Sequence, residues 1–229
     1  FDKDRSDRST YKLLGGSIGF YGSTLNTRQY ATKGYLEKLI AQVFTGRERF
    51  EPGNPQEGYS PSPQERQSWL QISYMKEAYH TMGPKFTLGW MAEALYSSKN
   101  FSENYTATMM QAGEFAPTPH SKLMYNEAFR ANQYVAAGIK PIYVLNDMFQ
   151  FRTEFYGFTP IFPIKKNALN KAYYGKAFSR FEYMGEVSVI CHLPFGAISA
   201  YVNHYSSPRR EWNVGMTIGW QLFNYRFVE

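Results

Sequence analysis

Cysteine is almost missing from this chain of 229 residues: Cys191 stands alone, which excludes a disulfide framework and a thiolate metal site. Histidine is also sparse. His80, His120, His192 and His204 follow no ligand spacing, so neither a metal centre nor a cofactor is expected. No run approaches the ~18 apolar residues of a membrane-crossing helix, and the mean hydropathy is −0.48. Helical periodicity is scarce. The opening FDKDRSDRST lacks the apolar stretch of a signal peptide, so either the protein is not exported or this is an internal piece of a longer one. The net charge of +6 is scattered. Its one basic cluster, Arg209 and Arg210, reads as a solvated loop, and nucleic acid is not an expected partner.

Aromatic residues, by contrast, make up 18% of the chain, and they sit in period-two alternation. KFTLGWMAEALY puts Phe86, Leu88, Trp90, Ala92, Ala94 and Tyr96 on one face, with Thr87, Gly89, Met91 and Glu93 on the other. DMFQFRTEFYGF sets Phe149, Phe151 and Phe155 against Gln150, Arg152, Glu154 and Tyr156. YMGEVSVICHL sets Tyr183, Val187 and Val189 against Glu186, Ser188 and His192. AISAYVNHY and WNVGMTIGWQLF repeat the pattern, and SWLQISYMKEAY and GYLEKLIAQVFTGRERF follow it less cleanly. With NQYVAAGIKPIYV and YKLLGGSIGFYGS the total is about nine strands, separated by loops rich in Pro, Asn, Ser and Gly.

The polar face of these strands carries Arg, Glu, Gln and Asn with Gly, where a soluble core would want Val and Leu. Aromatics stand near strand ends at Trp69, Tyr79, Phe86, Tyr96, Trp212 and Trp220. Apolar residues outward, a polar lumen and aromatic girdles are the pattern of a transmembrane β-barrel, and strands of roughly 9–12 residues are long enough to cross while tilted. The competing reading is a soluble lipocalin-like barrel or sandwich, whose aromatics fill its interior. The segment 97–130 shows no such alternation. A structureless stretch of that length is uncommon inside a compact domain and suggests a functional loop, in the lumen or at the surface.

GGSIG (residues 15–19) matches the G-x-S-x-G of serine hydrolases. An elbow serine needs a strand, a sharp turn and a helix, but FYGSTLNTRQY follows and has no helical face. None of Asp2, Asp4, Asp7 and Asp147 is followed by Gly, as the acid of a patatin-type dyad would be. Ser17 therefore reads as a small residue on one pleat of a strand, and no catalytic residue is expected in this chain.

STLNTRQYATKGYLEKLIAQVFTGRERFEPG, NYTATMMQAGEFAPTPHSKLMYNEAFRANQYVAAGIKPIY and VICHLPFGAISAYVNHY resemble the C-terminal barrel region of Bacteroidetes-type patatin-like phospholipases. That region is similar to the barrels of the BamA/TamA outer-membrane assembly superfamily. In such barrels a long loop carries a V-R-G-F/Y element whose arginine folds into the lumen, with five strands after it. Phe129, Arg130, Ala131 and Asn132 match this element, although Ala131 and Asn132 replace the glycine and the aromatic. Pro194, Phe195 and Gly196 resemble the late-strand turn of the same barrels. A guanidinium in a lumen needs partners, and the inward faces of the later strands offer Glu154 and Glu186, with Arg152 as a competing cation. The resemblance implies an outer-membrane anchor or pore forming roughly the last nine strands of a barrel of about 16. Any phospholipase domain would then lie outside this chain. The expected partners are outer-membrane lipids and other outer-membrane or periplasmic proteins. Two alternatives stand beside this reading, an assembly or translocation barrel of BamA/TamA type and a soluble β-protein that binds a hydrophobic ligand. The C-terminal alternation of Phe223, Tyr225 and Phe227 fits a closing barrel strand, although the chain ends on Val228 and Glu229.

Overall fold

The alternating segments pair in sequence order into one antiparallel sheet of nine strands. They are β1 (Arg8–Ser23), β2 (Gly34–Glu51), β3 (Arg66–Thr81), β4 (Phe86–Ser97), β5 (Gln133–Val144), β6 (Phe149–Pro160), β7 (Glu182–Leu193), β8 (Gly196–Tyr205) and β9 (Trp212–Trp220). This computed structural model describes residues 7–53, 66–194, 196–207 and 212–220. Phe195, Arg209, Arg210 and the C-terminal aromatics lie outside the described residues. Two short strand pairs lie apart from the sheet. Ile164–Lys166 pairs with Ala172–Tyr174, and Gly113–Glu114 pairs with Arg130–Ala131. The all-β expectation of about nine antiparallel strands holds, and they form one open sheet, as nine strands of a larger barrel would. Among the described residues β1 and β9 pair on one side only, so the sheet keeps two edges.

The sheet is strongly curled, and one contact requires it. The Tyr30 hydroxyl, in the β1–β2 connection, donates to Ser199 Oγ on β8 at 2.8 Å. In a flat sheet β2 and β8 would stand six strand spacings apart, about 29 Å. Tyr30 lies four residues before β2, a reach of at most ~14 Å of chain plus one side chain. That distance closes only if the sheet bends into a trough. Arg152 Nη2 on β6 likewise meets the Tyr79 hydroxyl on β3 at 3.3 Å.

Polarity is inverted across the trough. On the convex face Leu14 is 75% exposed, Ile18 78% and Val214 79%; on the concave face Lys140 is 3% exposed, Arg152 2% and Glu154 5%. The alternation read from β4, β6, β7, β8 and β9 matches these faces residue by residue over the described positions. Two of the expected girdle aromatics are corrected. Trp69 and Tyr79 are buried on the concave face, where Trp69 stacks on Phe44 and Tyr79 meets Arg152; Phe86, Tyr96 and Trp212 are exposed on the convex face.

Concave glycines make room for rings. A Cβ on Gly138 would run into the Tyr156 ring and the Phe155 carbonyl on the adjoining strand, and one on Gly89 would meet the Tyr79 ring. Gly138→Val should therefore destabilise the protein by about 1–3 kcal/mol, the usual cost of overpacking. Equilibrium urea unfolding would measure it, and Gly83→Val, in open space, is the control expected to change little.

Candidate functional site

The segment 97–130 is folded, which corrects the structureless expectation. It holds helix α1 (Tyr105–Gln111), the short pair at Gly113–Glu114, and 3-10 turns at Ser121–Leu123 and Glu127–Phe129. Asn104 caps α1 by accepting from Ala107 N at 3.2 Å, and its own amide donates to Asp7 Oδ2 at 2.7 Å. Phe115 and Phe129 from this connection pack with Tyr134, Tyr156, Phe158 and Tyr205 of the strands in the largest buried apolar cluster. The connection thus lies on the concave face, which it shares with the polar network.

The matched element sits at the base of this insert. Asn132 O accepts from Ser97 N at 2.8 Å, and the Asn132 amide donates to Lys99 O at 3.2 Å and to the Tyr174 hydroxyl at 3.0 Å. Phe129 and Ala131 are buried. Arg130, however, does not pair with Glu154 or Glu186. Its Nη2 donates to Glu114 Oε2 at 2.6 Å, and Nη1 faces the carbonyls of Met109 at 3.4 Å, Met110 at 3.2 Å and Ala112 at 3.3 Å. The Tyr125 ring packs over the guanidinium, centred 4.7 Å away. The reason is local. The short pairing sets Arg130 opposite Glu114 and beside the carbonyl end of α1, which attracts a cation. Arg130 therefore braces the insert from within instead of pinning it to the wall.

The strand carboxylates meet other partners. Arg152 Nε donates to Glu154 Oε1 at 2.9 Å, and Nη1 donates to Ala31 O at 2.9 Å. The Tyr156 hydroxyl donates to Glu154 Oε2 at 2.6 Å, and Lys140 Nζ lies 3.2 Å from Glu77 Oε1. The Tyr79 hydroxyl also bonds Glu77. Glu186 faces His120, a residue of the insert, with both carboxylate oxygens 3.0 Å from Nδ1. Burial raises Tyr30 above the ordinary phenol value, so its hydroxyl stays a donor to Ser199. Pro194 and Gly196 lie at the β7–β8 connection, where Leu193 pairs with Gly196. Ser17 lies on β1 opposite Gln42, in a strand that runs on to Ser23 with no helix behind it.

Glu77, Tyr79, His120, Lys140, Ser199 and Tyr30 were not read as site residues. The inward pleat carries a signal for the strand residues among them, but nothing local marks His120, whose partner is 66 residues away. Among the described residues no three His, Cys, Asp or Glu side chains gather as a metal site. The chain matches no protein-family model, no curated protein and no solved structure.

Two measurements test this geometry. Arg130→Ala strips Glu114 and the end of α1 of their cation, so limited proteolysis should cut within 98–129 at least tenfold faster, and the heat-modifiability transition in gels should fall. Lys99, buried between the Tyr11 and Trp69 rings, is pushed by burial from 10.5 down to about 8, with Glu48 opposing. A lowered folded value means that the unfolded chain binds more protons between pH 8 and 10.5, so Lys99 makes stability rise with pH across that window. Lys99→Met should remove that rise and be the more stable protein at pH 7 in urea titrations.

Proposed function

We propose that this chain is a transmembrane β-barrel segment of an outer membrane, anchored through its convex face and filled by its own β4–β5 connection. The observation that carries the reading is the inverted polarity, with charges inside and large apolar residues outside. Water would expose the first and bury the second; lipid favours the observed order.

The dimensions agree. On the convex pleat of β2, Leu39, Ala41, Val43 and Thr45 are flanked by Glu37 and Arg47, and on β3 Leu70, Ile72 and Tyr74 are flanked by Arg66 and Lys76. Ten residues of strand rise about 34 Å, which a tilt near 45° reduces to ~24 Å, the height of an outer-membrane apolar band. Beyond Arg47 the long β1–β2 hairpin turns charged on the same face, with Arg8 opposite Glu51 and Lys12 opposite Arg47.

The resemblance to the barrel regions of patatin-like phospholipases supports anchoring as the role of this segment, with the phospholipase domain itself lying outside it. Assembly or translocation of other proteins through a strand seam is the second reading, favoured by the edges of β1 and β9, which carry no partner strand among the described residues. A soluble ligand-binding β-protein fits less well, because apolar side chains would then fill the interior that Arg152, Lys140 and Glu154 occupy.

Ile139 lies in mid-strand on the convex face of β5. Ile139→Arg should cost about 2–4 kcal/mol in phospholipid vesicles, the penalty for a charge near the bilayer midplane. The chain should also require detergent for extraction. A chain that stays monodisperse in buffer without detergent, with Ile139→Arg unchanged in stability, would overturn the proposal.

A further inference from the structure

The concave face carries one constellation that anchoring does not use. Glu186 of β7, His120 of the β4–β5 connection, Ser199 of β8 and Tyr30 of the β1–β2 connection form a single line of polar contacts. The Glu186 carboxylate holds His120 Nδ1 at 3.0 Å, His120 Nε2 faces Ser199 Oγ at 3.5 Å, and the Tyr30 hydroxyl donates to Ser199 Oγ at 2.8 Å. His120 and Ser199 are each 1% exposed and Glu186 5%. The Tyr201 ring stacks on the imidazole, with centroids 3.3 Å apart.

Carboxylate, imidazole and hydroxyl in this order are the arrangement of an orienting acid, a general base and a nucleophile. The carboxylate fixes the Nδ1–H tautomer, so Nε2 keeps a lone pair toward the serine. The 3.5 Å gap is longer than a working hydrogen bond, and such contacts often tighten only when substrate is bound.

The cover over this line is built like an occupant of the site. Tyr30 sits at φ 56°, a left-handed conformation that is costly for a bulky side chain. Its carbonyl takes the Gln150 amide at 3.1 Å, and the next carbonyl, of Ala31, takes Arg152 Nη1 at 2.9 Å. If the connection lifts, the Ser199 hydroxyl, the Gln150 amide and one Arg152 donor all face the vacated space, ready for the oxygens of an acyl group.

We propose that Ser199 is the nucleophile of a covered serine-hydrolase site, with His120 as its general base, Glu186 orienting His120, and the connection 24–33 as a strap that lifts to admit a carboxylic ester. Ser199 Oγ adds to the acyl carbon while its proton passes to His120 Nε2. The C–O bond of the ester breaks, and the leaving alkoxide takes that proton as an alcohol. Water then attacks the acyl-serine by the same route, giving the acid and restoring the hydroxyl. This goes beyond the anchoring role and does not rest on it.

A fluorophosphonate probe tests the proposal on the full chain folded in detergent. The unaltered protein should label slowly. Tyr30→Gly removes the cover and accepts the left-handed backbone, and it should label at least tenfold faster, with the adduct mapped to Ser199 by peptide mass. Adding Ser199→Ala should abolish the label, and adding His120→Gln should slow it about a hundredfold. Tyr30→Phe, which removes only the hydroxyl, should label severalfold faster than the unaltered protein and is the variant to read if Tyr30→Gly does not fold. Labelling of the folded Tyr30 variants no faster than of their Ser199→Ala counterparts, or an adduct at any other residue, would overturn the assignment.

Discussion

Arg152 holds three parts of the molecule at once. Its guanidinium bonds Glu154 on its own strand, the Tyr79 hydroxyl three strands away, and the Ala31 carbonyl of the β1–β2 connection. A guanidinium this deeply buried carries a desolvation penalty of several kcal/mol unless its donors are met. Glu154 cannot meet them alone. The remaining partners must come from distant chain, and they reach it only because the sheet bends. The curl of the sheet, the inward fold of the 24–33 connection and the burial of Lys140 beside Glu77 all follow from satisfying charges on the inner pleat.

The same requirement explains the long insert. Strands with a polar inner face leave a trough that must be filled by groups able to bond to it. The connection from Ser98 to Asn132 supplies both kinds. Phe115 and Phe129 meet the apolar end at Tyr134, Phe158 and Tyr205, and His120 meets Glu186. The insert carries its own brace in Arg130 and Glu114, so it is presented to the wall as a folded unit. That division separates the residue that shapes the insert from those that tie it to the sheet.

Much of this was legible in the residues. A period of two cannot be mistaken for a helix, and Arg152, Glu154 and Glu186 had to share the inner pleat once Phe151, Phe155 and Val187 were set outward. The FRAN segment was found where the insert closes. Trp69 and Tyr79 were misread because position near a strand end says nothing about which pleat a ring occupies when β3 alternates poorly. The partner of Arg130 was misread because a two-residue pairing inside the insert, Arg130 opposite Glu114, leaves no periodic trace.

The sequence by itself determined the nine strands of the main sheet and, for β4, β6, β7, β8 and β9, the two faces and their polarity, because side-chain alternation follows from the pleat of an extended backbone. Only the tertiary structure decided who meets whom across the trough: Tyr30 with Ser199, Arg152 with Tyr79, and His120 with Glu186. Those contacts depend on how far the sheet curls and how deep each connection folds inward. Burying the charges selects that curvature, and no short run of residues encodes it.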